Sequence, residues 1–240
     1  MPQVQPYKLY PYPDGWYAVG FSNELKNGEL LTRPFMGREV ILFRTESGQA
    51  CVTEPYCPHM GAHLGHGGTV EGETVRCPFH GFCFDTKGEC VSTGYGTKPN
   101  PKGKLHIYHA QEKNGIILVY YSHTGEAPTW DVPTLDMTDY APLKYTMWEL
   151  DSHPQETSEN SVDIGHLSIV HGYEKVDVLE PLKTEGPYLY SKYTMTRRAD
   201  FVGMSLSKIK ANFEVHVHGL GYSFVQVEIP QMGMRTHQFV

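Results

Sequence analysis

Cys57-Pro58-His59 and Cys77-Pro78-Phe79-His80 are the two stretches on which the reading of this chain turns. Each places one thiol and one imidazole on a short turn-forming segment, with seventeen residues between His59 and Cys77. Brought together, they supply two sulfurs and two ring nitrogens, a donor set suited to a metal centre. A structural zinc site can take the same four ligands. Zinc modules, however, pair like with like inside one knuckle, Cys-x2-Cys and then His-x3–5-His. The mixed pairs here do not follow that order. Pro58, Gly61, Pro78 and Gly81 suit loops whose backbone passes close to a metal centre and can donate N–H groups to it.

A Rieske [2Fe–2S] cluster asks for this arrangement. Two cysteines hold one iron and two histidines the other, which raises the potential above that of an all-cysteine cluster. Each loop must then reach both irons, and tight Cys-x-His and Cys-x2-His spacings make physical sense. The flanking residues make the likeness specific. Cys57-Pro-His59-Met-Gly-Ala62 and Cys77-Pro-Phe-His80-Gly-Phe82, followed by Phe84-Asp85 and Gly88-Glu-Cys90, closely resemble the Rieske domain of bacterial Rieske non-heme iron oxygenases. Respiratory Rieske proteins carry an extra cysteine in each loop, joined as a disulfide; the matching positions here are Ala62 and Phe79. The hydroxyl donor often found after their second His-Gly is Phe82 here. Fewer hydrogen bonds to a cluster imply a lower potential, suited to delivering electrons to oxygen. The resemblance thus implies a [2Fe–2S] cluster on Cys57, His59, Cys77 and His80. Cys51, Cys83 and Cys90 read most simply as small buried residues. His63 and His66 are either plain loop residues or tuners of the cluster.

Bulk properties narrow the remaining choices. A 240-residue chain that is 40% hydrophobic and 20% charged can bury one large or two modest cores. Its net charge of −7 argues against a nucleic-acid partner, since phosphate binding needs a basic face. Runs such as Gly115–Tyr121 fall far short of the ~20 apolar residues that span a bilayer, so no transmembrane segment is expected. Met1–Tyr12 has no basic region followed by an apolar stretch, and no signal peptide is expected. Five cysteines between Cys51 and Cys90 form an odd set, unlike a secreted disulfide framework. The expected location is cytoplasmic.

From Gly15 to Ser122 the texture is that of a β protein. Glu39–Arg44, Ala50–Thr53, Leu105–His109 and Ile116–Tyr121 are short runs rich in β-branched or aromatic residues, and Asn114-Gly115 is a hairpin signal. Residues 124–142, rich in Pro and Asp, read as a linker. Beyond it the spacing predicts a strand over Tyr145–Leu150 and a helix from about Pro154 to Val170, with Pro154 early and Gln155 and Glu156 near the positive end of the dipole. Tyr188–Thr196, Ser205–Val217, Tyr222–Ile229 and Met234–Val240 predict an antiparallel sheet. The expected fold is a mainly β Rieske domain over 1–123, then an α+β catalytic domain over 143–240. Ending in mid-pattern on Phe239-Val240, that second domain is expected to be incomplete.

Within the predicted helix stands Asn160-x2-Asp163-x2-His166-x4-His171. Alone, two histidines and an aspartate on a helix are weak evidence for metal. Glu159-Asn160-Ser-Val-Asp163-Ile-Gly-His166-Leu-Ser-Ile-Val-His171 nevertheless resembles the helix on which the same oxygenases bind a mononuclear Fe(II). At about 100° per residue, His166 and His171 are far apart around a regular helix, so the helix must bulge or end within Leu167–Val170 if both are ligands. The family's third ligand is a later carboxylate. Glu214, Glu228 and Asp200 are available, but nothing ties them to the motif, which again points to a chain that is part of a longer oxygenase. The resemblance makes Asp163 an inter-subunit bridge from cluster His80 to iron ligand His166 across a cyclic homotrimer, and gives Asn160 a supporting place behind the ligands. Lys98, Lys102 and Lys104 form either a solvated loop or a docking patch for an acidic ferredoxin or reductase.

The implied activity is that of a terminal oxygenase component, a mono- or dioxygenase fed from NAD(P)H by a reductase, directly or through a ferredoxin. It uses O2 on an apolar, sterol-like or aromatic substrate. Gly15-Trp-Tyr-Ala-Val and His153-Pro-Gln-Glu look most like the branch that includes steroid hydroxylases and sterol desaturases. The rival reading is an electron carrier of Rieske type without oxygenase activity of its own.

Overall fold

The computed structural model describes the backbone of residues 11–201 and 204–240. The stretch read above for a signal peptide therefore lies, through residue 10, outside the described residues. Contacts divide the chain into two compact units, one over Tyr17–Met137 and one built mainly from Thr138–Val240.

The first unit is all β. Strands β1 (Gly15–Phe21), β2 (Leu30–Phe35), β3 (Arg38–Arg44), β4 (Ala50–Thr53), β5 (Thr69–Glu71), β6 (Thr74–Arg76), β7 (Cys83–Phe84), β8 (Cys90–Ser92), β9 (Ala110–Lys113) and β10 (Ile116–Tyr121) form three small sheets, ordered β1-β10-β9, β2-β3-β4 and β5-β6-β7-β8. Strand β3 shows why the unit holds together. Val40, Ile41, Leu42 and Phe43 are all buried, an unbroken apolar run covered on both faces. By alternation, Ile41 and Phe43 join one core with Cys57, Leu64, Val75, Cys77 and Phe84, while Val40 and Leu42 join another with Val19, Val52, Ile117 and Val119. Each such side chain contributes about 1.5–3 kcal/mol on burial. Asn114-Gly115 does turn the β9–β10 hairpin, both residues at positive φ. The Leu105–His109 run differs from expectation. Only Ile107 bridges, to Thr53, although Glu54 and Tyr108 bond to His106 and Val52 across the same gap. Residues 124–137 fold back onto this unit, with Lys113 donating to the Val132 carbonyl and Asn114 to that of Pro133.

Arg44, at the end of β3, is a buried hub that sequence reading passed over. Its guanidinium donates to the Leu25, Gly48 and Ser22 carbonyls and to both oxygens of Glu112. The Glu112 bond raises the Arg44 pKa and lowers that of Glu112, so neither charge is left uncompensated.

The second unit opens without the strand expected over Tyr145–Leu150. That stretch has no ladder among the described residues, and Met147, Trp148 and Leu150 are exposed; β propensity without a neighbouring edge makes no strand. Two short helices follow in place of one, α1 (Pro154–Asn160) and α2 (Gly165–Ile169). Then β11 (Lys175–Glu185), β12 (Tyr188–Phe201), β13 (Met204–His218), β14 (Ser223–Ile229) and β15 (Met234–Phe239) form one antiparallel sheet in sequence order. One face, with Leu189, Tyr193, Met195, Phe213, Val215, Val217 and Val225, packs on Leu167 of α2 and on Val162 and Ile164. The other carries Tyr188, Tyr190, His216, His218 and Phe224, linked by ring contacts from 4.4 Å (His216–Phe224) to 6.5 Å (Tyr188–Tyr190).

On that second face burial, reinforced by His216, pushes His218 down to about 4 from the usual 6.5. Burial lowers His216 and His237 as well. Between about 4 and 6.5 an unfolded chain binds a proton at His218 that the folded chain refuses, so stability falls as pH drops through that window and levels off below it. Thermal unfolding followed from pH 7 to pH 4 should show Tm falling with a shallower slope in His218→Phe, which keeps a ring against Tyr188 and Phe224.

Candidate metal centres

Two loops of the first unit share one hydrogen-bond plan. Cys57 N–H donates to the Ala62 carbonyl and Gly61 N–H to that of Cys57; Cys77 N–H donates to the Phe82 carbonyl and Gly81 N–H to that of Cys77. Gly61 and Gly81 close the loops at φ +72° and +66°, a left-handed conformation open to glycine. The two kinds of donor differ in burial. Cys57 and Cys77, each 2% exposed, face the Ile41–Phe43 core. His59 is exposed, and its ring stands 4.9 Å from that of His80. Burial pushes the Cys57 thiol up to about 11, while backbone N–H groups of His59 and Met60 pull the other way; those N–H groups are available to a metal-bound sulfur.

The donor set fits a two-iron cluster better than one ion. Among the described residues no three His, Cys, Asp or Glu side chains converge on a single point, as a tetrahedral zinc site requires. A Rieske centre needs only a sulfur pair for its inner iron and a nitrogen pair for its outer one. All five cysteines are free thiols, Cys51 and Cys83 buried and Cys90 partly so. His63 is a hydrogen-bonded loop residue: Nε2 lies 3.2 Å from Glu39, and Nδ1 accepts from Gly65 N–H. The His66 ring rests 4.3 Å from it. Lys104 is paired with Glu89 at 2.6 Å.

The second donor pair sits where α2 gives way. A turn over 161–164 separates the helices, and α2 ends at Ile169, inside the stretch where the two histidines demand a break. Gly172 then adopts φ +69°, and Tyr173 N–H donates back to the Leu167 carbonyl. This reversal carries His171 round to His166, with 5.2 Å between ring centroids. Asp163 Oδ1 accepts from Gly165 N–H at 2.8 Å. Its Oδ2 stands 3.4 Å from His166 Nδ1, close but not aligned as a hydrogen bond, and that buried nitrogen has no hydrogen-bond partner. A small closure would make Asp163 the acceptor for Nδ1–H, leaving Nε2 as the donor to a metal. Asn160 ends α1 with its side chain exposed.

Neither glutamate considered as third ligand faces this pair. Val215 and Val217 pack on Leu167, so by alternation Glu214 projects from the opposite face, where it pairs with Lys192. Glu228 shares a face with Gln226, the cross-strand partner of Glu214. The side chain of Asp200 lies outside the described residues.

Residues 15–107 match the Rieske [2Fe–2S] domain, and residues 119–240 match the 3-ketosteroid 9α-hydroxylase C-terminal domain. The chain belongs to the Rieske non-heme iron oxygenases. Among curated relatives, the cholesterol 7-desaturase of Bombyx mori is 37% identical over 67% of this chain and 36% of its own length. The oxygenase component of a Rhodococcus rhodochrous 3-ketosteroid-9α-monooxygenase is 29% identical over 65% and 42%. This Rieske oxygenase chain thus spans only about a third of the desaturases it matches. Dicamba monooxygenase bound to dicamba superposes with a TM-score of 0.70 over 92% of this chain and 70% of that one, at 16% identity. Pseudomonas putida CBB5 NdmA with caffeine gives 0.69 over 93% and 68%, at 18%. At such identities the structures speak for the fold alone. Among the described residues, no helix is long and apolar enough to cross a membrane.

Proposed function

We propose that this chain is the terminal oxygenase part of a Rieske system that hydroxylates or desaturates an apolar, sterol-like substrate with O2. Electrons come from NAD(P)H through a reductase, directly or by way of a ferredoxin. One observation carries the reading: a sulfur–imidazole donor set and a separate histidine pair stand in one chain, whose second part matches the ketosteroid hydroxylase family. Relatives named for cholesterol and for 3-ketosteroids favour a sterol-like substrate over an aromatic one. Five cysteines with no disulfide among them suit a cytoplasmic setting.

When bound, the cluster supplies single electrons and the mononuclear iron the place where O2 is reduced. Cys57 and Cys77 would hold one iron of the cluster, and His59 and His80 the other. His166 and His171 would hold the mononuclear iron. Asp163 would accept an N–H from His166 of its own chain, on closing the 3.4 Å gap between them, and one from His80 of a neighbouring chain, fixing both rings. That arrangement belongs to a cyclic homotrimer, and the 58% exposure of Asp163 leaves its carboxylate open to such a neighbour. The carrier alternative draws on the lack of a third donor converging with His166 and His171 among the described residues.

Reconstituted protein should be supplied with NADH, a reductase and either a 3-ketosteroid or cholesterol. The expected result is O2 uptake coupled to a hydroxylated or desaturated steroid. Asp163→Asn should slow turnover by about 10–100-fold with iron and sulfide content unchanged. Cluster reduction with no product from any sterol or aromatic substrate would leave the carrier reading standing.

A further inference from the structure

We propose that Tyr188 and His216 form a proton-coupled redox pair on the second face of the β11–β15 sheet, which drains oxidising equivalents left in this unit when O2 is reduced without a substrate to consume it. The draining role rests on the oxygenase reading above.

Strand geometry sets the pair. Tyr188 begins β12 opposite His218, and His216, two residues away on the same face of β13, stands opposite Tyr190. The Tyr188 hydroxyl reaches diagonally across and lies 2.9 Å from His216 Nδ1. With Nδ1 as acceptor, the one N–H of a neutral ring sits on Nε2. That nitrogen is buried and has no hydrogen-bond partner. Glu214 Oε2 stands 3.8 Å from it, while Glu214 Oε1 holds Lys192. Phenol, imidazole and carboxylate thus follow one another, the second able to take a proton and the third to compensate its charge.

Burial holds the His216 pKa below its ordinary value and raises that of Tyr188. At rest the phenol therefore keeps its proton, and the imidazole beside it is neutral and free to receive one. Tyr190, whose ring lies 6.5 Å from Tyr188, makes a contrast. It donates to Glu180, a carboxylate held below its usual range by Lys183 and so a poor proton acceptor.

The pair also lies near the second histidine site. Leu189 and Val217, neighbours in sequence of Tyr188 and His216, pack with Leu167 of α2, the helix that carries His166. One sheet separates the two places. An electron can cross it, and the proton has no need to, since His216 is at hand. In the step, the Tyr188 phenol gives one electron to an O2-derived one-electron oxidant and its proton to His216 Nδ1. The O–H bond breaks and an N–H bond forms, leaving a neutral tyrosyl radical beside an imidazolium. One electron from the NAD(P)H-driven supply, with the proton returned from Nδ1, restores the phenol.

The pair is tested with light in place of iron. Reconstituted full-length chain is flashed with a ruthenium tris-bipyridine sensitiser and a cobalt(III) acceptor, then followed by absorption and electron paramagnetic resonance. The parent is expected to give a long-lived tyrosyl radical, formed at a rate independent of buffer concentration. Tyr188→Phe should lose that signal and Tyr190→Phe should keep it. His216→Phe, which keeps a ring against Phe224, should form the radical more slowly, at a rate that rises with buffer base. A signal that survives Tyr188→Phe, or a His216→Phe rate equal to the parent's, overturns the pair. For the draining role, Fe(II)-loaded chain with its cluster reduced is frozen after O2 is admitted without steroid. The Tyr188 radical is expected there, and O2 uptake without it overturns that role. A chain that takes up neither iron nor O2 overturns the oxygenase reading and the draining role with it, while the photochemical result still decides the pair.

Discussion

Cys77→Ser is expected to come out of reconstitution without its cluster, with acid-labile sulfide below about a tenth of the parent's. Cys77 is 2% exposed and sits among Ile41, Phe43, Leu64, Val75 and Phe84. A serine hydroxyl there is a poor ligand for iron. Buried in an apolar core without a partner, it also costs about 1–3 kcal/mol. The variant should therefore lose both the visible absorption of the cluster and part of the first unit's stability. Cys83→Ser is the matched control. Cys83 is equally a buried thiol, but its sulfur leans on the Gly81 carbonyl at 3.6 Å instead of joining the ligand pair. Parent-like sulfide in Cys77→Ser would remove Cys77 from the ligand set.

His166→Ala should separate the two metal centres. The ring lies in the second unit, next to Leu167 in that unit's own core, and the cluster loops lie in the first, so the cluster's sulfide and resonance signal should stay at the parent's level. The mononuclear iron should be lost, taking iron from about three to about two per chain. Steroid turnover should drop by more than about 100-fold, beyond the loss typical of a residue that only supports a ligand. His171→Ala should behave alike if the reversal at Gly172 brings both rings to one ion. A variant that keeps all its iron would show that this pair does not hold it.

The two candidate cluster loops were legible because their chemistry is local. Cys57-Pro-His59 and Cys77-Pro-Phe-His80 carry their ligands, turn glycines and backbone donors within a few residues, and both loops fold to one hydrogen-bond plan. The break before His171 was legible too, because 100° per residue forbids two ligands at that spacing on a straight helix. What escaped depends on partners distant in sequence. Tyr145–Leu150 has the residues of a strand and no edge to pair with among the described residues. The single helix over 154–170 is split by the turn at 161–164, where Asp163 bonds the start of α2. Arg44 looked like the end of a strand, and only the fold brings Leu25, Gly48 and Glu112 to it. Tyr188 likewise carries no signal in sequence; its place against His216 comes from cross-strand register. The faces of Glu214 and Glu228 could have been read from strand period alone once Val215 and Val217 were placed in the core.

Iron and acid-labile sulfide per chain, measured on protein purified anaerobically and reconstituted with Fe(II) and sulfide, test the central claim most directly. Cluster and mononuclear site together predict about three irons to two sulfides. Two irons to two sulfides would contradict the mononuclear site and leave an electron carrier; zinc without sulfide would contradict the cluster.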